Sequence, residues 1–272
     1  IVARESRGLT QTALAQRIGV GQGTISKAEH AQDALVDVAD SLVGGYSTHL
    51  NYPLAFFAEP LRYHDLPVTF HRKLKTTPVS TVRAIRANAN ISRLHLRKLL
   101  VAVETLPVLV EPIDLSDHGG QPEAVAKEFR IRWHVPPGPI HNLTALLEGA
   151  GVVITRCDFG TRQVDGLGLY DRSDETPPLI LLNPNIPCDR ARYTLAHELA
   201  HLVLHNHLPL PPTECEAQAD RFAAELLMPA KDILGFLGAL TLERLATLKQ
   251  TWKVSMAALL KRAQDLGTIA KG

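Results

Sequence analysis

Two histidines four residues apart, with a glutamate beside the first, are the residues of this chain best suited to chemistry: His197-Glu198-Leu199-Ala200-His201. On a helix, positions i and i+4 share one face, so both imidazoles can reach a single metal ion. Glu198 then stands beside the ion's open position, where a carboxylate can take a proton from water. The competing explanation is a buried helix whose histidines bond to backbone and carboxylates. Leu195, Ala196, Leu199, Ala200, Leu202 and Val203 surround the motif without a proline, which predicts a helix over 190–206 in either case.

Catalytic zinc takes three protein ligands and keeps one open position. One candidate for the third ligand is His207, at the eleventh place counted from His197. That spacing needs a glycine at the eighth place, where the chain turns out of the helix, and Leu204 stands there instead. His207 therefore reads as a surface histidine at a helix end. Glu216 is the better candidate: it lies on the following helix, in ECEAQADRFAAELLMP at Glu214–Pro229. Glu216 and Asp220 are i,i+4 neighbours, so Glu216 can ligate while Asp220 orients a ligating imidazole.

These residues need elements to position them. The pattern predicts helices near 121–131, 139–149, 214–228, 241–250 and 255–266, and strands at Val152–Thr155 and Pro178–Leu182. Val164–Tyr170 is either an edge strand that binds substrate backbone by strand addition or a plain hairpin. Tyr170, His205 and Arg192 are equal candidates for an extra donor to a transition-state oxyanion. Residues 81–106 read as one long helix, with Val82, Ile85, Ile91, Leu94, Leu99 and Val103 as its buried positions. The Pro, Gly and Asp residues of Leu106–Gly120 mark a linker.

RYTLAHELAHLVLH at Arg192–His205, followed by EAQADRFAAELLMP at Glu216–Pro229, resembles the ImmA/IrrE family of bacterial zinc metallopeptidases. The tail at Thr241–Gly267 resembles the end of that domain; NLTALLEGAGVVI at Asn142–Ile154 and VDGLG at Val164–Gly168 fit its early helix and strand. The resemblance covers about half the chain. It implies a zincin-like fold, Zn2+ held by His197, His201 and Glu216, and Glu198 as the catalytic carboxylate. Glu214 competes as ligand if its helix begins late. Some members of that family act on regulatory DNA-binding proteins, so the resemblance also implies a regulatory protein as substrate.

A second constellation lies at the N-terminus. Thr10-Gln-Thr-Ala-Leu-Ala-Gln-Arg-Ile-Gly19 opens on a hydroxyl cap and closes on a glycine, and Thr24–Glu29 continues as a second short helix. Two such helices across a glycine-containing turn make a helix-turn-helix pattern, with Leu14, Ala15, Ile18, Val20 and Ile25 as its apolar contacts. ARESRGLTQTALAQRIGVGQGTISKAEH at Ala3–His30 resembles the Cro/C1-type (XRE) helix-turn-helix. The resemblance places the second helix in the DNA major groove. Gln22, Gly23, Thr24 and Lys27 then face the duplex, Gln11 lies near its backbone, and Arg4 and Glu29 form a structural ion pair. Gln22 suits an adenine edge and Lys27 a guanine or a phosphate. Such domains bind paired half-sites as dimers, so a homodimer on double-stranded DNA is expected.

Composition agrees with two jobs. Of 272 residues, 45% are hydrophobic and 21% charged, which excludes a mainly disordered chain. No apolar run approaches the ~18 residues of a membrane span. Residues 1–110 carry 13 Lys/Arg against 8 Asp/Glu, and residues 111–272 carry 16 against 20, so a polyanion is to be sought on the first half. Residues 71–98 hold eight Lys/Arg and no acid, a phosphate-binding run or simply a solvated helix face. Three cysteines, Cys157, Cys188 and Cys215, without a CxxC pair argue against a disulfide framework and for a reducing cytoplasm. No signal peptide is read at Ile1–Gly8, and the chain starts at Ile1 rather than at a methionine.

The expectation is a predominantly helical α+β protein. An all-α helix-turn-helix domain spans 1–60, a basic helical connector and linker 61–120, and a zincin-like metallopeptidase domain with a small sheet 121–272. The expected function is a DNA-binding transcriptional regulator fused to a zinc-dependent endopeptidase that hydrolyses a peptide bond in a regulatory protein, in the cytoplasm and away from membranes. The alternative is a DNA-binding repressor, antitoxin-like, whose zincin domain is a non-catalytic sensor or scaffold. A third reading is a peptidase that uses the helical domain to dock protein substrates.

Overall fold

The computed structural model describes residues 1–30, 40–61, 63–67, 77–103, 107–172, 176–205 and 211–270. The chain divides into one unit of Ile1–Leu66, Leu74–Ala102 and Phe159–Thr161 and another of Pro67–Lys73, Val103–Asp158 and Arg162–Gly272. Among the described residues, no helix is long and apolar enough to cross a membrane.

In the first unit, α1 (Val2–Ser6) precedes α2 (Gln11–Ile18). The Thr10 hydroxyl caps α2 by accepting from the Ala13 amide at 3.1 Å. Gly19, at φ 82°, ends it in a left-handed conformation that costs glycine nothing. After this turn comes α3 (Gln22–His30). Leu14, Ala15 and Ile25 are buried between the two helices, and Ala3, Tyr46 and Leu50 complete the cluster from α1 and α4 (Asp40–Leu50). A single turn, α5 (Leu54–Phe57), and a long helix, α6 (Val79–Leu100), follow.

The long helix is shorter than its pattern predicts, and its apolar stripe ends early. Ile85, Ile91 and Leu94 are buried, but Leu99 and Val103 are 68% and 58% exposed. Val2 of α1 packs on Ala87 and Ile91 of α6. Tyr52, Phe56 and Leu61 pack on the same cluster, and none of them covers Leu99 at the end of the helix.

The second unit is built around one helix. In chain order it contains α7 (Pro122–Arg132), α8 (Leu143–Gly149), β1 (Val153–Arg156), β2 (Gly166–Leu169), β3 (Leu179–Leu182), α9 (Cys188–Leu204), α10 (Pro212–Leu227), α11 (Ala230–Ile233), α12 (Leu242–Trp252) and α13 (Met256–Asp265). The sheet order is β1-β3-β2, with β1 parallel and β2 antiparallel to β3. Central β3 reads LILL, the continuous apolar run of a strand covered on both faces. Every residue of α9 from Thr194 to Leu204 is buried, so its second half is a core helix rather than an amphipathic one. It packs on α10, β2, β3 and α8.

The segment whose composition marks a linker is structural over its described residues. Val110 and Leu115 lie in the core of the second unit, the Leu109 amide donates to the Ala150 carbonyl and the Ile113 amide to the Val203 carbonyl. Proline and glycine punctuate the backbone there, but the apolar residues between them have somewhere to go. The second unit therefore starts before residue 121.

Candidate functional site

The site begins with α9, because a helix buried on all sides must find partners for its histidines. His197 and His201 face the same way, with Nε2 atoms 3.1 Å apart. From α10, the Glu216 carboxylate straddles the pair, Oε2 at 3.4 Å from His197 Nε2 and Oε1 at 3.2 Å from His201 Nε2. One ligand atom from each residue lies within 4.8 Å of the others. Two ligand atoms at about 2.0–2.1 Å from one tetrahedral ion stand roughly 3.3–3.4 Å apart, so the spacing fits a zinc-sized cation. The donor set is two imidazoles and a carboxylate, the chemistry of a borderline-soft divalent metal.

Both imidazoles are held from behind. His197 Nδ1 lies 3.0 Å from Asp220 Oδ1, one helical turn beyond Glu216. His201 Nδ1 lies 2.9 Å from His205 Nδ1, and His205 Nε2 lies 2.9 Å from Gln218 Oε1. Burial, ahead of the opposing hydrogen bond to Gln218, pushes His205 down to about 4 and keeps that ring neutral at neutral pH. Glu214 is exposed and accepts from Gln218 Nε2 at 3.2 Å, away from the three converging donors. His207 lies outside the described residues.

Glu198 is 3% exposed, and its Oε2 accepts the Gly168 amide of β2 at 2.9 Å. The pairing of β2 with β3 explains why that amide is available. Asn183 donates to the Asp165 carbonyl, so alternate pairs, including Leu167 with Leu181, bond to β3, and the Gly168 amide points to the outer edge. Glycine lets this edge approach α9. A Cβ on Gly166 would stand 2.6 Å from Thr194 Cγ2, and one on Gly168 would stand 3.3 Å from the Glu198 carbonyl.

The three oxyanion candidates do not fare alike. His205 is turned to His201, and the Arg192 guanidinium donates to the Ile140 carbonyl, so both are committed elsewhere. Tyr170 packs half-buried against the core. The sequence reading missed Gln218 and the true neighbour of His205. The signal was present: His197, His201 and His205 form one i, i+4, i+8 stripe, which puts a third ring behind the second.

In the first unit, Gln22, Thr24 and Lys27 lie exposed on α3 and Gln11 is half-buried at the start of α2. Gln22 Nε2 donates to Gln11 Oε1 at 2.8 Å, and Gln11 Nε2 donates to Glu29 at 2.9 Å. Buried Arg4 donates to both Glu29 oxygens at 2.8 Å. The two glutamines are thus held in place from the protein interior outwards. Of the five described residues of the basic run, Arg83 is exposed and the other four are bonded or buried. Arg86 bonds to Asp65, Arg97 to the Pro60 carbonyl and Lys98 to Glu59, while Arg93 is buried. Arg72, Lys73 and Lys75 lie outside the described residues.

The fold and these two clusters define a class: a helix-turn-helix DNA-binding domain fused to a zincin-like domain. Comparison with known families agrees. Residues 2–42 match the helix-turn-helix family model, and residues 147–264 match the peptidase M78 model, described as the IrrE N-terminal-like domain. No curated protein matches the chain. The chain accordingly carries an XRE-type DNA-binding domain followed by an ImmA/IrrE-like M78 domain.

Proposed function

We propose that the chain is a DNA-binding regulator whose M78 domain is a working zinc endopeptidase acting on a regulatory protein. The observation that carries this reading is the convergence of His197, His201 and Glu216, with Glu198 the next residue on the same helix. These three residues would hold Zn2+. When bound, the ion supplies Lewis acidity toward water and toward a peptide carbonyl.

The protein's own groups account for the rest. Glu198 takes the proton of the attacking water and passes it to the leaving amine as the C–N bond breaks. Gly168 fixes that carboxylate through its amide. The substrate backbone adds along the outer edge of β2 without using the Gly168 amide, which stays on Glu198. Asp220 keeps His197 in the tautomer with Nε2 unprotonated. On the DNA side, Gln22, Thr24 and Lys27 read the major groove, Gln11 sits by the phosphate backbone, and a homodimer spans two half-sites. We place the protein in a bacterial cytoplasm, with DNA-binding residues within 1–60.

The test compares zinc-loaded wild type with Glu198→Gln in a soluble bacterial proteome and reads new protein N-termini by mass spectrometry. Termini produced only by wild type support the peptidase. If both proteins hold zinc and neither produces a terminus, the M78 domain is a sensor or scaffold attached to a repressor.

A further inference from the structure

His205, Gln218 and Glu214 form a chain of side chains running outwards from His201, and a cation beside His201 would fix the donor and the acceptor at every link. This inference rests on the proposed metal site. His201 Nε2 faces His197 and Glu216, so a cation held there requires that nitrogen to be unprotonated and puts the ring proton on Nδ1. Nδ1 lies 2.9 Å from His205 Nδ1, which must then be the acceptor. The His205 proton is therefore on Nε2. That atom lies 2.9 Å from Gln218 Oε1, an amide oxygen that can only accept. The Gln218 amide nitrogen then donates to Glu214 Oε1 at 3.2 Å. Four residues thus agree on one arrangement of protons, ending at an exposed carboxylate.

We infer that His205, fixed by Gln218, is a positioning residue that selects the metal-binding tautomer of His201, and that Glu214 terminates this relay rather than ligating the ion. The two ligands are therefore supported differently. His197 leans directly on the Asp220 carboxylate, 3.0 Å away, whereas His201 leans on a neutral ring whose orientation is set one residue further out. The arrangement also gives the two acids of Glu214-Cys215-Glu216 separate tasks. Glu216 faces the imidazoles and Glu214 faces Gln218. Replacing the ring at 205 by a group that cannot accept leaves the His201 Nδ1 proton without a partner in a buried position, and the tautomer with the proton on Nε2 becomes competitive. That tautomer has no lone pair on Nε2 to offer the ion.

The test begins with the zinc dissociation constant, measured by competition with a chromophoric chelator on the full chain. Failure of wild type to bind zinc would sink the metal site itself. With zinc bound by wild type, His205→Leu is expected to weaken affinity about 10–100-fold, the usual cost of losing an outer partner of a ligating histidine. His205→Asn, whose Oδ1 takes the place of Nδ1 as acceptor, should recover most of that loss. Equal affinities for wild type and His205→Leu would overturn the relay, as would equal losses in the Leu and Asn variants. A second readout needs no substitution. Long-range proton–nitrogen spectra of the zinc-loaded wild type should show His201 protonated on Nδ1 and His205 on Nε2. His205 protonated on Nδ1 would overturn the inference.

Discussion

The Gly168 amide of β2 donates to the Glu198 carboxylate of α9 at 2.9 Å, joining the sheet edge to the HExxH helix across thirty residues of sequence. Glycines at 166 and 168 remove the side chains that would hold the strand off the helix, and the helix in return fills the space with Thr194, Glu198 and Leu202. In the proposed hydrolysis, a carboxylate in this setting would lose little orientational freedom when a substrate arrives.

Gly166→Val should therefore be costly. Its Cβ alone would fall 2.6 Å from Thr194 Cγ2, so strand and helix must separate. Overpacking of this kind costs about 1–3 kcal/mol. Urea unfolding of the second unit, followed through Trp133 and Trp252, should show the lower midpoint, and the paired variant Gly166→Val with Thr194→Ala should regain part of it. An unchanged midpoint in the single variant would contradict the close approach.

Glu198→Gln should keep the metal and lose the chemistry. The carboxylate is not among the three converging donors, so zinc per chain should match wild type. Removing a general base should lower the hydrolysis rate by about 10²–10⁴-fold. Elemental analysis beside a rate on any identified substrate separates the two effects.

Glu216→Ala should do the opposite and strip the ion. His197 and His201 alone leave two donors where three converge, and zinc content by elemental analysis should fall from near one per chain to near zero. Glu214→Ala should leave zinc content at the wild-type level, because its carboxylate faces Gln218. Loss of zinc in Glu214→Ala with retention in Glu216→Ala would reverse the assignment.

On the DNA side, Gln22→Ala should cost about 1–3 kcal/mol at one base position once an operator is selected from random duplexes. Lys27→Ala should weaken binding more evenly and reduce the salt dependence if it meets a phosphate. Gln11→Ala should also affect Gln22, since the two amides are hydrogen-bonded at 2.8 Å. Fluorescence anisotropy over a salt series reads all three.

Acid should loosen the first unit. Burial alone would raise the Glu29 carboxyl, but hydrogen bonds from Arg4 and Gln11 and the nearby positive charges hold it below its ordinary 4.5. A depressed carboxyl contributes stability that is present above the ordinary value and is lost as pH falls through the folded one. Amide signals of α1, α2 and α3, followed in urea at a series of pH values, should keep a steady midpoint near neutrality and lose it below about 4.5. Glu29→Gln should flatten that decline.

Local spacing determined a good deal. Thr10 and Gly19 bound α2 through a cap bond and a left-handed turn that involve only neighbouring residues. The four-residue interval between His197 and His201 put both rings on one face for the same reason, since helical periodicity is a property of the chain. The helix of Val79–Leu100 was legible in its apolar stripe, but its end was not, because the residues that cover it, from α1 and from Tyr52, Phe56 and Leu61, come from elsewhere in the chain. The stretch before Gly120 read as linker because proline and glycine speak for the backbone alone, while Val110 and Leu115 found a core that composition does not describe. The choice between Glu214 and Glu216 beside the imidazoles depended on how α10 lies along α9. So did the turning of His205 to its neighbour and of Glu198 to Gly168. These are contacts between side chains far apart in sequence, selected by close packing, and no short-range pattern encodes them.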